Sequence, residues 1–245
     1  QLGLAGTVLQ KEPLWIFLIL SAAALFPAWE AAITIVNRAT LYFFAPSIMP
    51  GLSLRDGIPD DLSTMVVIPA LLGSEQDAAS LAERLEVHYL SNADDNLRFA
   101  LLTDWQDADQ EKMPDDDRLL ALAQQAVGAL NRRHPLPDNM PRFYILHRCR
   151  QWNPAQRQWM GWERKRGKLH ELNLLLRGAL NTSFLDSGDP AALRLPENIR
   201  YVLTLDADTR LPRGVARRLI GKMSHPLNRA YYDARRAHVV AGHGI

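Results

Sequence analysis

From residue 62 onward, short apolar β-branched runs alternate with stretches of helical period, and this alternation restricts the fold more than any other feature. Thr64–Pro69 (TMVVIP) has the length and residue types of a buried strand. Ser74 precedes Asp77 by three residues, a capping-box-like start for a helix whose apolar face is Ala78, Leu81, Ala82, Leu85 and Tyr89. Leu97–Thr103 is a second strand, and Asp117 is placed to cap a helix running to about residue 133. Phe143–Leu146 is a third strand, Lys168–Leu180 the next helix, and Tyr201–Leu205 a fourth strand. Pro212 suits the first turn of a helix reaching about Met223, and His238–Ala241 begins a fifth strand. Strands separated by helices imply an α/β fold with a mostly parallel sheet flanked by helices. A single cysteine, Cys149, excludes an intrachain disulfide and reads as a small buried residue.

Ahead of this domain lies an apolar run, Leu14–Val36, whose one charge is Glu30. About 20 apolar residues suffice to span a bilayer, whereas Pro27 and Glu30 also fit a helix lying in the interface. Either way the expected partner is membrane lipid. Three Pro and two Gly between Pro46 and Pro59 mark a linker. The expected organisation is a membrane-associated segment over 1–45, a linker over 46–61 and an α/β domain over 62–245. The chain lacks an initiator Met and stops within GHGI, so a longer polypeptide is expected.

Net charge is near zero, but its distribution is uneven. Asp60–Asp117 carries fifteen acidic and three basic side chains, whereas Arg142–Glu171 carries eight Lys/Arg and two Glu. This polarity implies an anionic ligand held at one locus. Two strands end in aspartate: LLTD at Asp104, and YVLTLDAD at Asp206 and Asp208. Ligands of open α/β sheets bind beyond the carboxyl ends of strands. Two carboxylates one residue apart there can hold a hard divalent cation beside a diphosphate, or be solvated turn residues. In GWERKRGK (161–168), a Gly-Lys opening a helix brings an ammonium to free backbone N–H groups, a natural phosphate site, although such runs are also common as solvated loops. Nucleic acid is not expected, because the acidic stretch would repel it and no recognised motif is present. Trp152, Trp159 and Trp162 either stack on sugar rings or anchor a core. His225 and His243 read as structural or exposed.

Taken together, VVIPALL (66–72), LEVHYLSN (85–92), RFALLTDWQDA (98–108), GWERKRGKLHELNLLLRG (161–178), YVLTLDADTRLPR (201–213) and HPLNR (225–229) resemble the transferase region of cyclic β-1,2-glucan synthases. These are nucleotide-sugar glycosyltransferases of the GT-A type. The resemblance implies a GT-A-like fold, UDP-glucose as donor, a glucan acceptor and inversion by single displacement. It also implies a larger synthase polypeptide in the bacterial inner membrane, with the catalytic domain on the cytoplasmic side. By analogy Asp104 holds the nucleoside. Arg164, Arg166 and Lys168 serve the diphosphate, and Asp206 and Asp208 hold Mg²⁺ or Mn²⁺, Asp206 also touching the donor. Two family elements are not found: a later carboxylate as general base and a Q-x-x-R-W segment. Asp233 is the one carboxylate after Asp208, and it falls in an apparently irregular loop, so the base is expected beyond Ile245. A Tyr is expected where His243 stands. The competing reading is a non-catalytic, membrane-anchored module that binds a nucleotide-sugar or polyanion. A metal-dependent phosphohydrolase using Asp206 and Asp208 would need further ligands.

Overall fold

The computed structural model describes residues 14–44, 48–137, 140–185 and 195–242, so His243 lies outside the described residues. The chain divides into two compact units, Gln1–Met49 and Pro50–Ile245.

In the first unit, α1 (Leu14–Phe43) is a thirty-residue helix with Pro27 inside it and no buried residue. Its mean hydropathy reaches 1.9 and it is long and apolar enough to cross a membrane. It continues one and a half to two turns past Val36, because Asn37 and Arg38 do not break a helix.

The second unit is built on four parallel strands, β1 (Thr64–Leu72), β2 (Leu97–Trp105), β3 (Phe143–Arg148) and β6 (Tyr201–Thr204), in the order β3-β2-β1-β6. The expected mixed α/β architecture with a parallel sheet is therefore present. Every residue of β2 is buried, as expected for a strand covered on both faces. Strand alternation divides β1 between two cores. Val66 and Ile68 pack with Leu81 and Leu85 of α2 (Glu75–Ser91), Val127 and Leu130 of α3 (Asp116–Arg133), and Ala216 and Ile220 of α5 (Val215–Ser224). Met65 and Val67 pack on the opposite face with Leu172 of α4 (Arg164–Leu175).

Ser74 caps α2 as expected, its side chain accepting from the Asp77 N–H at 3.1 Å. Other boundaries differ. α3 begins at Asp116, one residue before the expected cap, and the buried Asp116 carboxylate accepts from the Met113 N–H at 2.8 Å. α4 covers Arg164–Leu175 instead of 168–180, which makes Lys168 an interior residue of the helix. His238–Ala241 does not extend the parallel sheet. It forms β8 of an antiparallel hairpin with β7 (Tyr231–Asp233). A second hairpin, β4 (Gln151–Asn153) with β5 (Gln158–Met160), occupies what reads in sequence as a polar loop. Both hairpins turn alike. Asn153 Oδ1 accepts from the Ala155 and Gln156 N–H groups, Asp233 Oδ1 accepts from the Arg235 N–H, and Arg157 and Ala237 adopt left-handed backbone.

The Pro- and Gly-rich stretch lies, from Pro50 onward, against the second unit. Ile58 is buried in the core and Leu54 packs on it. The Leu52 N–H donates to the Gly221 carbonyl at 2.8 Å, and Asn228 Nδ2 donates to the Pro50 carbonyl at 2.7 Å. A Cβ on Gly221 would sit 2.3 Å from the Leu52 oxygen, so α5 admits this segment because that position is glycine. Removing residues 1–49 is therefore expected to leave the unfolding midpoint of the second unit unchanged. Removing 1–58 additionally strips the partly buried Leu54 and the buried Ile58, the latter alone worth about 1.5–3 kcal/mol of burial. Urea unfolding of the two truncations checks this, and equal midpoints would refute it.

Candidate active site

The strand order reverses at β1: β2 and β3 follow on one side and β6 is added on the other. Such a reversal opens a crevice at the carboxyl ends of the strands. Here β6 pairs with β1 only as far as Val67↔Thr204, while β1 runs on to Leu72 beside β2. A cleft of about 400 Å³ occupies this end of the sheet. Among its walls are Ala70 of β1, Asp104 of β2, Arg164, Lys165 and Lys168 of α4, and Ala207 from the loop after β6.

Asp104 is fixed by a buried charge network. Arg148, fully buried at the end of β3, donates through Nε to Oδ1 at 2.7 Å and through Nη2 to Oδ2 at 2.9 Å, a two-pronged pairing. The remaining Arg148 donors reach the carbonyls of Trp162 and Arg164, both at 3.1 Å, and Nη1 lies 3.5 Å from Glu171 Oε2. Lys168 Nζ sits 3.1 Å from Asp104 Oδ2 and donates to the Ala70 carbonyl at 2.7 Å. Burial pushes the Lys168 pKa down, and the Asp104 charge opposes that shift. Lys168 is thus a buried partner of Asp104 that lines the cleft from inside α4, not from the helix opening its sequence position implies. Two cations and two carboxylates balance, which makes the burial tolerable.

The glycines of the basic segment have steric roles here. A Cβ on Gly161 would lie 2.6 Å from the Asp104 carboxylate, and one on Gly167 would lie 2.0 Å from the Trp162 carbonyl oxygen. Glu163 and Arg164, at φ 49° and 47°, turn the chain into α4 in left-handed backbone.

The exposed basic residues divide. Arg164 pairs with Asp107 at 2.7 Å and lines the cleft. Lys165, overlooked in the sequence, also lines it and makes an ion pair with Asp206. Arg166, 81% exposed, pairs with Glu163 at 3.2 Å and is not among the cleft's walls. The loop carrying Asp206 and Asp208 is held from α2. Arg84 donates to the Ala207 carbonyl at 2.8 Å, His88 Nδ1 accepts from the Leu211 N–H at 3.3 Å, and Asn92, directly after α2, donates through Nδ2 to the Leu211 and Pro212 carbonyls at 3.3 and 3.1 Å. Burial, and then the Arg84 charge, lowers the His88 pKa, which favours the neutral ring that such an acceptor requires. Asp208 lines a second, larger cleft with Arg84 and His88, whereas Asp206 is held by Lys165 and is not among the walls of either cleft. Among the described residues no three His, Cys, Asp or Glu side chains group as metal ligands.

Much of the charge polarity seen in the sequence is internal. Arg142, Arg148, Arg150, Arg164 and Lys168 pair with Asp95, Asp104, Asp116, Asp107 and Asp104 respectively. Asp233 lies in a hairpin and not in an irregular loop, with one oxygen engaged in the turn. His225 Nδ1 accepts from the Leu227 N–H at 3.2 Å, a structural role.

No family model matches the chain. Over 219 residues, 89% of its length, it is 44% identical to the cyclic β-(1,2)-glucan synthase NdvB of Rhizobium meliloti. The chain is homologous to a segment of that synthase. It spans 8% of the synthase's length. The resemblance carried by the six quoted stretches is thus borne out by identity across nearly the whole chain.

Proposed function

We propose that this chain is the donor-binding part of an inverting, GT-A-type glycosyltransferase that passes glucose from UDP-glucose to a growing β-1,2-glucan. The observation that supports it is the convergence of β2, α4 and the loop after β6 on one cleft at the point where strand order reverses. The homology to a segment of a glucan synthase supports the reaction class.

On this reading Asp104, held by Arg148 and Lys168, keeps acceptor capacity for the nucleoside. Arg164 and Lys165 face the diphosphate, with Arg166 adding a more distant positive charge. Asp206 and Asp208 are hard oxygen donors of the kind Mg²⁺ or Mn²⁺ takes, and both belong to one short loop anchored by α2. A bound cation there would supply charge compensation to the diphosphate. No residue between Thr209 and Gly242 is assigned as the base that takes the acceptor hydroxyl's proton, a contribution of about 10²–10⁴ in rate. We assign α1 to membrane lipid, on the inner membrane of a bacterium with the second unit cytoplasmic, and the remaining catalytic parts to a larger synthase polypeptide.

Calorimetric titration of the whole chain tests this. UDP and UDP-glucose are expected to bind in Mg²⁺ or Mn²⁺ and to lose affinity in chelator. Asp208→Asn should remove the metal dependence. Lys165→Ala should weaken UDP by about 1.5–3 kcal/mol and uridine far less. Labelled UDP-glucose should give no polymer. Binding indifferent to metal and to both substitutions would overturn the proposal.

A further inference from the structure

We propose that the cleft beside the β4–β5 hairpin is a binding site for the rings of an uncharged glucan. Its volume is about 500 Å³, and its walls include Gln151, Trp152, Gln156, Trp162, Glu163 and Arg164. Trp152 is 49% exposed and Trp162 43%. Two large aromatic surfaces left in water on a polar concavity call for a ligand with both an apolar face and hydroxyls.

Both rings are held in place. Trp152 lies across the hairpin from Trp159, with centroids 5.9 Å apart. Trp162 is fixed through its carbonyl, which accepts from Arg148 at 3.1 Å, through the close approach of Gly167, and through edge contact with His170. Rigid faces of this kind lower the ordering cost of binding. The remaining walls favour a neutral ligand. Glu163 and Arg164 cancel in charge, and Gln151 and Gln156 offer amide donors and acceptors matched to sugar hydroxyls. A diphosphate would find no excess of cations here.

Arg164 lines both this cleft and the one containing Asp104 and Lys168, so the two adjoin. A glucan seated on the tryptophans would reach toward the donor cleft. Its identity as the acceptor rests on the transferase reading, whereas its binding does not require a donor.

The test uses the whole chain in a detergent without a sugar headgroup, titrated with linear β-1,2-linked glucose oligomers without nucleotide. Binding is followed by tryptophan fluorescence and saturation-transfer NMR. Saturable binding is expected, and Trp152→Ala should weaken it about tenfold, the loss typical of one interfacial anchor. Affinity for UDP-glucose, measured separately, should be unchanged in that variant. If Trp152→Ala disturbs the fold, Gln151→Ala provides the reading, because this exposed side chain can be shortened without touching the core. Absence of saturable sugar binding, or binding indifferent to these substitutions, overturns the proposal. Intact UDP-glucose binding beside absent oligomer binding would remove this site alone and leave the donor reading standing.

Discussion

Replacing Arg148 with alanine is expected to destabilise the second unit by about 3–5 kcal/mol, the cost of removing one partner from a buried charge pair. The reason is the company it keeps. Arg148 donates to both oxygens of Asp104, and it also supplies donors to the Trp162 and Arg164 carbonyls and sits against Glu171. Without it two buried carboxylates face a single ammonium. Lysine is a poor substitute, since it lacks the planar fork that meets both Asp104 oxygens. Arg148→Met together with Asp104→Leu, which removes a cation and an anion at once, should be less damaging than Arg148→Ala. Urea unfolding with circular dichroism measures both variants. A loss below about 1 kcal/mol for Arg148→Ala, the value of an exposed pair, would show that the network is not desolvated.

Acid should weaken the fold in a way traceable to one imidazole. His147, on β3, is 3% exposed, bonded through Nδ1 to the Thr103 hydroxyl at 2.7 Å and stacked edge-on against Trp105. Burial pushes its pKa down to about 3, with Asp104 acting in the opposite sense and Lys168 reinforcing the drop. The unfolded chain takes up this proton near the ordinary histidine value of about 6.5, while the folded chain does not. Stability contributed by the neutral ring is full above that value and falls as pH drops from about 6.5 toward 3, by up to about 1.4 kcal/mol per pH unit. Glu86, whose carboxyl is lowered by hydrogen bonds from His134 and Arg133, loses stability in the same direction. The difference between wild type and His147→Gln isolates the imidazole. That difference should shrink steadily below pH 6.5, and a pH-independent difference would refute the assignment.

What could be read from the sequence depended on whether the physics was local. Val66–Val67–Ile68 and Phe99–Leu102 are apolar on both faces because they lie inside a covered sheet, and this shows in composition alone. Ser74 and Asp77 state their own cap. The partners of charges are not local. Lys168 stands in a run of Lys and Arg that reads as a phosphate site, yet folding takes its ammonium inward to Asp104, sixty-four positions earlier in the chain. Arg150 does likewise with Asp116, and the acidic and basic stretches largely answer each other. The hairpins carried a signal that was available. Gln-Trp-Asn and Gln-Trp-Met alternate with period two around an Asn-Pro turn, the local pattern of a hairpin. The site aspartates were legible as strand-end residues, but that Lys165 stands beside Asp206 required α4 to begin at Arg164, four residues earlier than the Gly-Lys pair implies.

Among the described residues the parallel sheet stops at β6, where Tyr201, Val202 and Leu203 are half-buried and the outer row of amides and carbonyls has no neighbouring strand. Open rows of this kind are templates for another chain. The consequence concerns handling as much as biology. Concentrated solutions of the second unit are exposed to lateral self-association that begins from an intact fold, grows with protein concentration and is not relieved by added stability elsewhere. A charged or proline residue introduced on that strand would blunt the row, at the cost of closing the same row to any strand that natively completes the sheet.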